Sequence, residues 1–249
     1  MSADPGWVRI GPDPQIAAWA AAALPVAQAA VAHSDEAWRC GGTWFVGVGA
    51  LDNAPEGQVA GTAFPWAALP LTPQPLHRAQ LSVIRPGYPQ PWDGEDAAGF
   101  RFRQARDAAH LDGLLPVGAD RQRMVREPHG WILGLPLNAC SADASPLVVW
   151  EGSHILMRAA LQAAFAGHAP GDWGNMDITA AYRAARSQVF AQCRRVEVPA
   201  RPGEATLLHR LCVHGVAPWA PGANAPPEGR IIAYFRPHLG SVADWVAEP

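Results

Sequence analysis

Between Ala79 and His238 the chain is divided into short β-rich runs bounded by Gly, Pro, Asn or Asp. In order these are AQLSVIRPGYP, GFRFRQARDAAHLDG, GWILGLPLN, SPLVVWEGSH, RRVEVPA, EATLLHRLCVHG and GRIIAYFRP, seven candidate strands. Many short strands at near-regular spacing suit a sandwich or jelly roll, because a parallel α/β sheet would need a helix after each strand. The chain has neither GxGxxG nor GxSxG, which removes the dinucleotide-binding and serine-hydrolase readings.

The remaining segments dress this β-rich core. Between the fourth and fifth runs lies a helical insertion, Ile155 to Gln192, punctuated by Pro170 and Gly171. Near the start, Ile16 to Ala32 is apolar enough to suggest a membrane span or signal segment. It follows the acidic residues Asp4 and Asp13, is interrupted by Pro25 and Gln28, and is rich in alanine rather than leucine. A span needs about 20 strongly apolar residues and a signal segment wants a basic start. The segment therefore reads as an amphipathic helix packing Ile16, Trp19 and Leu24 on the core. Cys40 to Leu51 reads as a glycine-rich strand or turn, and residues 52–78 as a Pro-studded connection. A length of 249 residues fits one domain, with a helical and irregular layer at 1–78 and the core at 79–238.

Charge narrows the function. All 19 basic residues are arginine, so Schiff-base chemistry, a Walker A phosphate loop and a lysine general base are excluded. A net charge of −3 argues against a nucleic-acid binder, which presents a basic face; no membrane partner is expected either. Cys40, Cys140, Cys193 and Cys212 are far apart and form no CxxC pair, so they read as reduced thiols of a cytoplasmic protein.

The informative chemistry begins at His110 and Asp112 in RDAAHLDGLL. On an extended segment, residues two apart face the same side, so an imidazole and a carboxylate point together. A surface turn at Asp112-Gly113 would produce the same letters. Further on, EATLLHRLCVHG carries His209 and His214, five apart; on a regular strand they face opposite sides, only one can join the first pair, and spacing does not choose between them. Two imidazoles and one carboxylate make the facial triad of non-haem Fe(II) oxygenases, which leaves coordination positions open. Arg230 opens the last run after a loop from Ala220 to Gly229, and its guanidinium fork suits a carboxylate.

HLD, LPLN, SPLVVWEGSH, PGEATLLHRLCVHGVAPW and GRIIAYF, in that order, resemble the phytanoyl-CoA dioxygenase family of Fe(II)/2-oxoglutarate-dependent oxygenases. The resemblance covers about residues 79–238. It implies a mainly β fold with flanking helices around a double-stranded β-helix, or jelly-roll, core. It also implies that His110, Asp112 and His214 bind iron, His214 being the histidine followed by Gly. Arg230 would take the distal carboxylate of 2-oxoglutarate, and O2 would be the second co-substrate. The implied reaction is hydroxylation of a small organic metabolite with release of succinate and CO2; retention of Asp112 favours hydroxylation or desaturation over halogenation. Three departures stand out: Val216 replaces a frequent serine, the loop before Arg230 is longer than usual, and no lysine exists to serve near the co-substrate. Glu151 also replaces the proline of a Pro-Gly-Ser-His turn, here Gly152-Ser153-His154, in which His154 reads as structural.

Other residues have plainer readings. Leu207, Leu211 and Val213 make His209 a packed histidine; His129, in PHGWILGLPL, reads as a satisfied loop histidine. Trp131 is a candidate flank of the co-substrate pocket, with core packing as its alternative. Arg101, Arg103, Arg106, Arg121, Arg123 and Arg126 could meet an anionic substrate or form a solvated face. Two other functions fit the same residues: a non-catalytic jelly-roll binding protein, and a zinc hydrolase on the same triad, although no general base is evident beside the metal.

Overall fold

The architecture was analysed in a computed structural model that describes residues 4–92 and 95–247. The elements are β1 (Trp7–Ile10), α1 (Pro14–Ala32), β2 (Trp44–Gly47), β3 (Gln80–Ile84), α2 (Ala97–Ala105), β4 (Leu114–Val117), β5 (Gln122–Val125) and β6 (Trp131–Pro136). They continue with β7 (Leu147–Trp150), α3 (Ser153–Phe165), α4 (Thr179–Gln192), β8 (Arg195–Val198), β9 (Ala205–His209), β10 (His214–Val216), β11 (Arg230–Phe235) and α5 (Val242–Val246).

The strands form two main antiparallel sheets. The larger has the order β1-β9-β6-β11-β3-β2 and the smaller β10-β7-β8. The smaller sheet gains a fourth, short member where His110 bridges His214. From β3 onward the chain enters the large sheet, the small one at His110, the large at β6, the small at β7 and β8, the large at β9, the small at β10 and the large at β11. Eight strand positions that alternate in this way between two facing sheets are a jelly roll, and the fold is mainly β with flanking helices.

Alternation along the strands separates two cores. Leu133, Leu135, Ile231, Ala233 and Phe235 point outward and pack on Ile16, Trp19, Ala20, Ala23 and Ala27 of α1. The apolar N-terminal helix is thus a cover for the large sheet, and Leu24 lies partly buried at its edge. Ile132, Leu147, Val149, Val198 and Leu208 point between the sheets. On the far side of the small sheet, Val148 and Trp150 pack against Met157, Leu161 and Phe165 of α3 and Tyr182 and Val189 of α4, so the insertion is the second helical cover.

Several expected elements differ. GFRFRQARDAAHLDG is not a strand over most of its length; it is α2, capped by Asp96 accepting from the Gly99 N–H at 2.6 Å, and then a turn in which Asp107 and Ala108 both have φ of 53°. Asp and Asn tolerate that left-handed region better than most residues, but the β-rich look of Phe100 and Phe102 concealed it. EATLLHRLCVHG is two strands joined by a tight turn, the Cys212 N–H donating to the His209 carbonyl at 2.8 Å. β9 therefore stays in the large sheet while β10 crosses to the small one. Two elements carry no clear sequence signal: edge strand β1, and the β4–β5 hairpin, whose charged Arg121 and Arg123 obscure the alternation.

Candidate metal centre

His110, Asp112 and His214 offer ligand atoms that all lie within 4.8 Å of one another. Backbone pairing creates this proximity. The His110 N–H donates to the His214 carbonyl at 2.9 Å and the His214 N–H returns the bond to His110 at 3.1 Å. The HxD segment is thereby extended, and Asp112 falls on the same side as His110. Gly215 permits the approach, because a Cβ there would overlap the carbonyl oxygen of Asp107.

Hydrogen bonds orient each ring. Nδ1 of His110 is 3.1 Å from the carbonyl of Ala108, and Nδ1 of His214 is 2.9 Å from that of Cys212. A carbonyl only accepts, so both Nδ1 atoms carry the proton and both Nε2 atoms are left as donors of an electron pair. These Nε2 atoms lie 3.1 Å and 3.8 Å from Oδ1 of Asp112. At 3.1 Å the His110 Nε2 can donate to Oδ1 when that imidazole is protonated, whereas 3.8 Å from His214 is too long for a hydrogen bond. Arg236 fixes the other carboxylate oxygen, Oδ2, at 3.0 Å, and is itself held by Gln80.

The electrostatics match this arrangement. Burial opposes ionisation of Asp112, but the His110 hydrogen bond and the charges of His214, His110 and Arg236 outweigh it and hold the carboxyl well below its ordinary range. Burial, reinforced by the charge of His110, pushes His214 down to about 4. His110 moves upward: burial lowers it, and the hydrogen bond and charge of Asp112 more than compensate. The site is an ionised carboxylate flanked by imidazoles, the donor set that Fe(II) and Zn2+ accept.

The triad opens on a cavity of about 200 Å3, also walled by Trp44, Ser82, Val216 and Tyr234. Ile132, Leu147 and Tyr234 wall both this cavity and a second one that contains Arg230. Arg230 is only 7% exposed, and its Nε and Nη2 are buried without a hydrogen-bond partner among the described residues. Two unpaired N–H groups in an enclosed space are costly unless a ligand takes them. Arg236, by contrast, is engaged by Asp112 and Gln80.

Other singled-out residues lie elsewhere. His209 is not at the triad: its Nδ1 accepts the Leu211 N–H at 2.9 Å and Arg158 lies beside its Nε2. Burial, then the charges of His154, Arg210 and Arg158, push it down to about 3. His154 is buried against the His209 ring, and His129 packs against His238. Trp131 points the opposite way from the cavity, onto the α1-side core, while its neighbour Ile132 takes the cavity wall. A one-residue step along β6 decides this, since side chains alternate. Arg236, which touches the triad directly, was visible in sequence only as the end of GRIIAYFRP, and its place on the Arg230 face follows from a period of two.

No protein-family model matches the chain, and no curated protein matches it. Among solved structures, the non-heme alpha ketoglutarate dependent epimerase SnoN from nogalamycin biosynthesis is similar at 16% identity and a TM-score of 0.47, covering 94% of this chain and 77% of that one. The non-heme alpha ketoglutarate dependent carbocyclase SnoK from the same biosynthesis gives 13% identity and a TM-score of 0.43, covering 97% and 85%. EctD from S. alaskensis, with bound Fe, gives 14% and 0.45, covering 94% and 72%. These are remote likenesses; the fold assignment stands on the strand order above.

Proposed function

We propose that this chain is an Fe(II)- and 2-oxoglutarate-dependent dioxygenase, of the kind found in the phytanoyl-CoA dioxygenase family, that hydroxylates a small organic metabolite. The observation that carries the proposal is the pairing of two groups along one interior: an oriented His110-Asp112-His214 donor set, and beyond a shared wall an arginine with unsatisfied N–H groups. Solved structures with an iron site, and with iron and alpha ketoglutarate bound, are among those similar to the chain.

His110, Asp112 and His214 would hold the metal through Nε2, a carboxylate oxygen and Nε2. When bound, iron and its co-substrate supply oxidative decarboxylation of 2-oxoglutarate to succinate and CO2, with one oxygen atom passed to a substrate C–H bond. The chain contributes positioning. Ala108 and Cys212 carbonyls keep both imidazoles in the ligating tautomer, and Arg236 keeps the carboxylate ionised and aimed. Arg230 offers its fork to the distal carboxylate of 2-oxoglutarate. Ile132 and Leu147 keep the space between dry, which strengthens that ion pair. Val216, where a serine is frequent, adds an apolar wall and no hydrogen bond, so the carboxylate depends more heavily on Arg230.

The test is anaerobic titration of Fe(II) and then 2-oxoglutarate into metal-free protein. A weak visible charge-transfer band from the chelate is expected. Its absence, with tight retention of zinc instead, would overturn the oxygenase reading.

A further inference from the structure

Beyond the triad lies an outer cavity of about 580 Å3, walled by α2, the β4–β5 hairpin and α4. Six arginines line it, Arg39, Arg103, Arg121, Arg123, Arg186 and Arg236, against three carboxylates, Glu95, Asp112 and Glu127. Two of the arginines are neutralised within the wall: Arg103 by Glu95 at 2.6 Å and Arg236 by Asp112 at 3.0 Å. Glu127 faces His129 at 3.4 Å. Arg39, Arg121, Arg123 and Arg186 have no carboxylate partner among the described residues.

Two of these four are built into the wall rather than extended into water. Arg186 of α4 lies over Phe102 at 4.6 Å and over Tyr182 at 5.1 Å, and its Nη1 donates to the Ala109 carbonyl at 3.4 Å, directly before His110. Arg123 of β5 donates to the Leu114 carbonyl at 3.4 Å. Burial, followed by repulsion from Arg121, Arg186 and Arg183, depresses the protonation of Arg123. Half-buried like charges held together by aromatic stacking and backbone carbonyls raise the energy of the free protein, and an oxyanion relieves it. An ordinary solvated face would let these long side chains splay apart.

We propose that the outer cavity is a substrate-anion site: the substrate carries a phosphate or carboxylate group that Arg186 and Arg123 hold, with Arg121 at the rim. Its remaining part reaches past Leu114 and Phe102 toward His110 and Asp112. This inference rests on the oxygenase reading for the word substrate, but the anion site is testable alone.

The experiment is calorimetric titration of the metal-free protein with inorganic pyrophosphate and, separately, with tricarballylate. The wild-type chain is expected to bind at least one, and the stronger of the two identifies the phosphate or carboxylate form. Replacing both arginines, R123Q with R186Q, should weaken that binding roughly tenfold or more, the worth of losing charge-assisted hydrogen bonds. R186K, which keeps the charge but not the stacked fork, should fall between and guards against a misfolded double variant. R230Q should leave pyrophosphate affinity unchanged, placing the site outside the inner cavity. No binding of either anion by wild type, or equal binding by R123Q/R186Q and wild type, would overturn the proposal. Arginine-dependent pyrophosphate binding without the Fe(II)/2-oxoglutarate band would keep the anion site and remove only the oxygenase reading.

Discussion

His110 and His214 exchange both backbone hydrogen bonds, at 2.9 and 3.1 Å, and their ring centroids are 4.6 Å apart. Two histidines on separate segments are thus locked together by main chain before any metal arrives. Preorganisation of this kind reduces the ordering cost of binding. It depends on Gly215, whose neighbour Val216 donates to the Asp107 carbonyl at 2.8 Å in the same crowded spot.

Gly215→Ala should push β10 away from the 107–110 segment and spread the two imidazoles. The expected outcome is a lower melting temperature together with weaker metal binding, read by thermal unfolding and by anaerobic Fe(II) titration. Unchanged values for both would show that the close approach is dispensable.

Arg230→Ala should weaken 2-oxoglutarate binding by about 1.5–3 kcal/mol, the worth of charged hydrogen bonds, while Fe(II) affinity without co-substrate stays nearly constant. Calorimetry of each ligand separates the two effects. If 2-oxoglutarate affinity holds, Arg236 or another residue is the clamp and the assignment to Arg230 falls.

Arg236→Gln leaves Asp112 without the guanidinium at 3.0 Å that orients it. Outer partners of metal ligands are typically worth about 10–100-fold in metal affinity, so a loss within that range is expected on Fe(II) or Co(II) titration. Arg236→Lys should recover part of it by restoring charge near the carboxylate.

The pH dependence of stability has a definite sign. His209 at about 3 and His214 at about 4 are both depressed from 6.5, so the unfolded chain binds protons that the folded chain refuses. The stability that these two groups contribute is therefore fully present above pH 6.5 and is lost as pH falls toward 4 and then 3, while His110, shifted upward, works in the opposite direction. The melting temperature of the metal-free protein should drop across that window. His209→Gln should flatten the drop; an equally steep profile would mean that other groups carry it.

The legible part of the site was local. HxD spacing put His110 and Asp112 on one side wherever the chain is extended, and the last run put Arg230 and Arg236 on one face. The turn at 210–213 was not legible, because Leu207, Leu208, Leu211 and Val213, with no Gly or Pro between them, read as one strand. That turn is what sends His214 to the small sheet and leaves His209 beside Arg158. Trp131 shows the same limit: only registration of β6 against β9 and β11 determines that Ile132, and not the tryptophan, faces the cavity.

Sequence alone determined the β-rich architecture, through period-two runs and the Gly and Pro that bound them, and determined that every fixed cation is a guanidinium. Tertiary structure decided which histidine completes the triad, that Nε and Nη2 of Arg230 are buried without a partner among the described residues, and which arginines converge at the outer cavity. The reason is physical: propensity and alternation act between near neighbours in sequence, whereas pairing partners and burial are set by sheet registration between segments far apart in the chain.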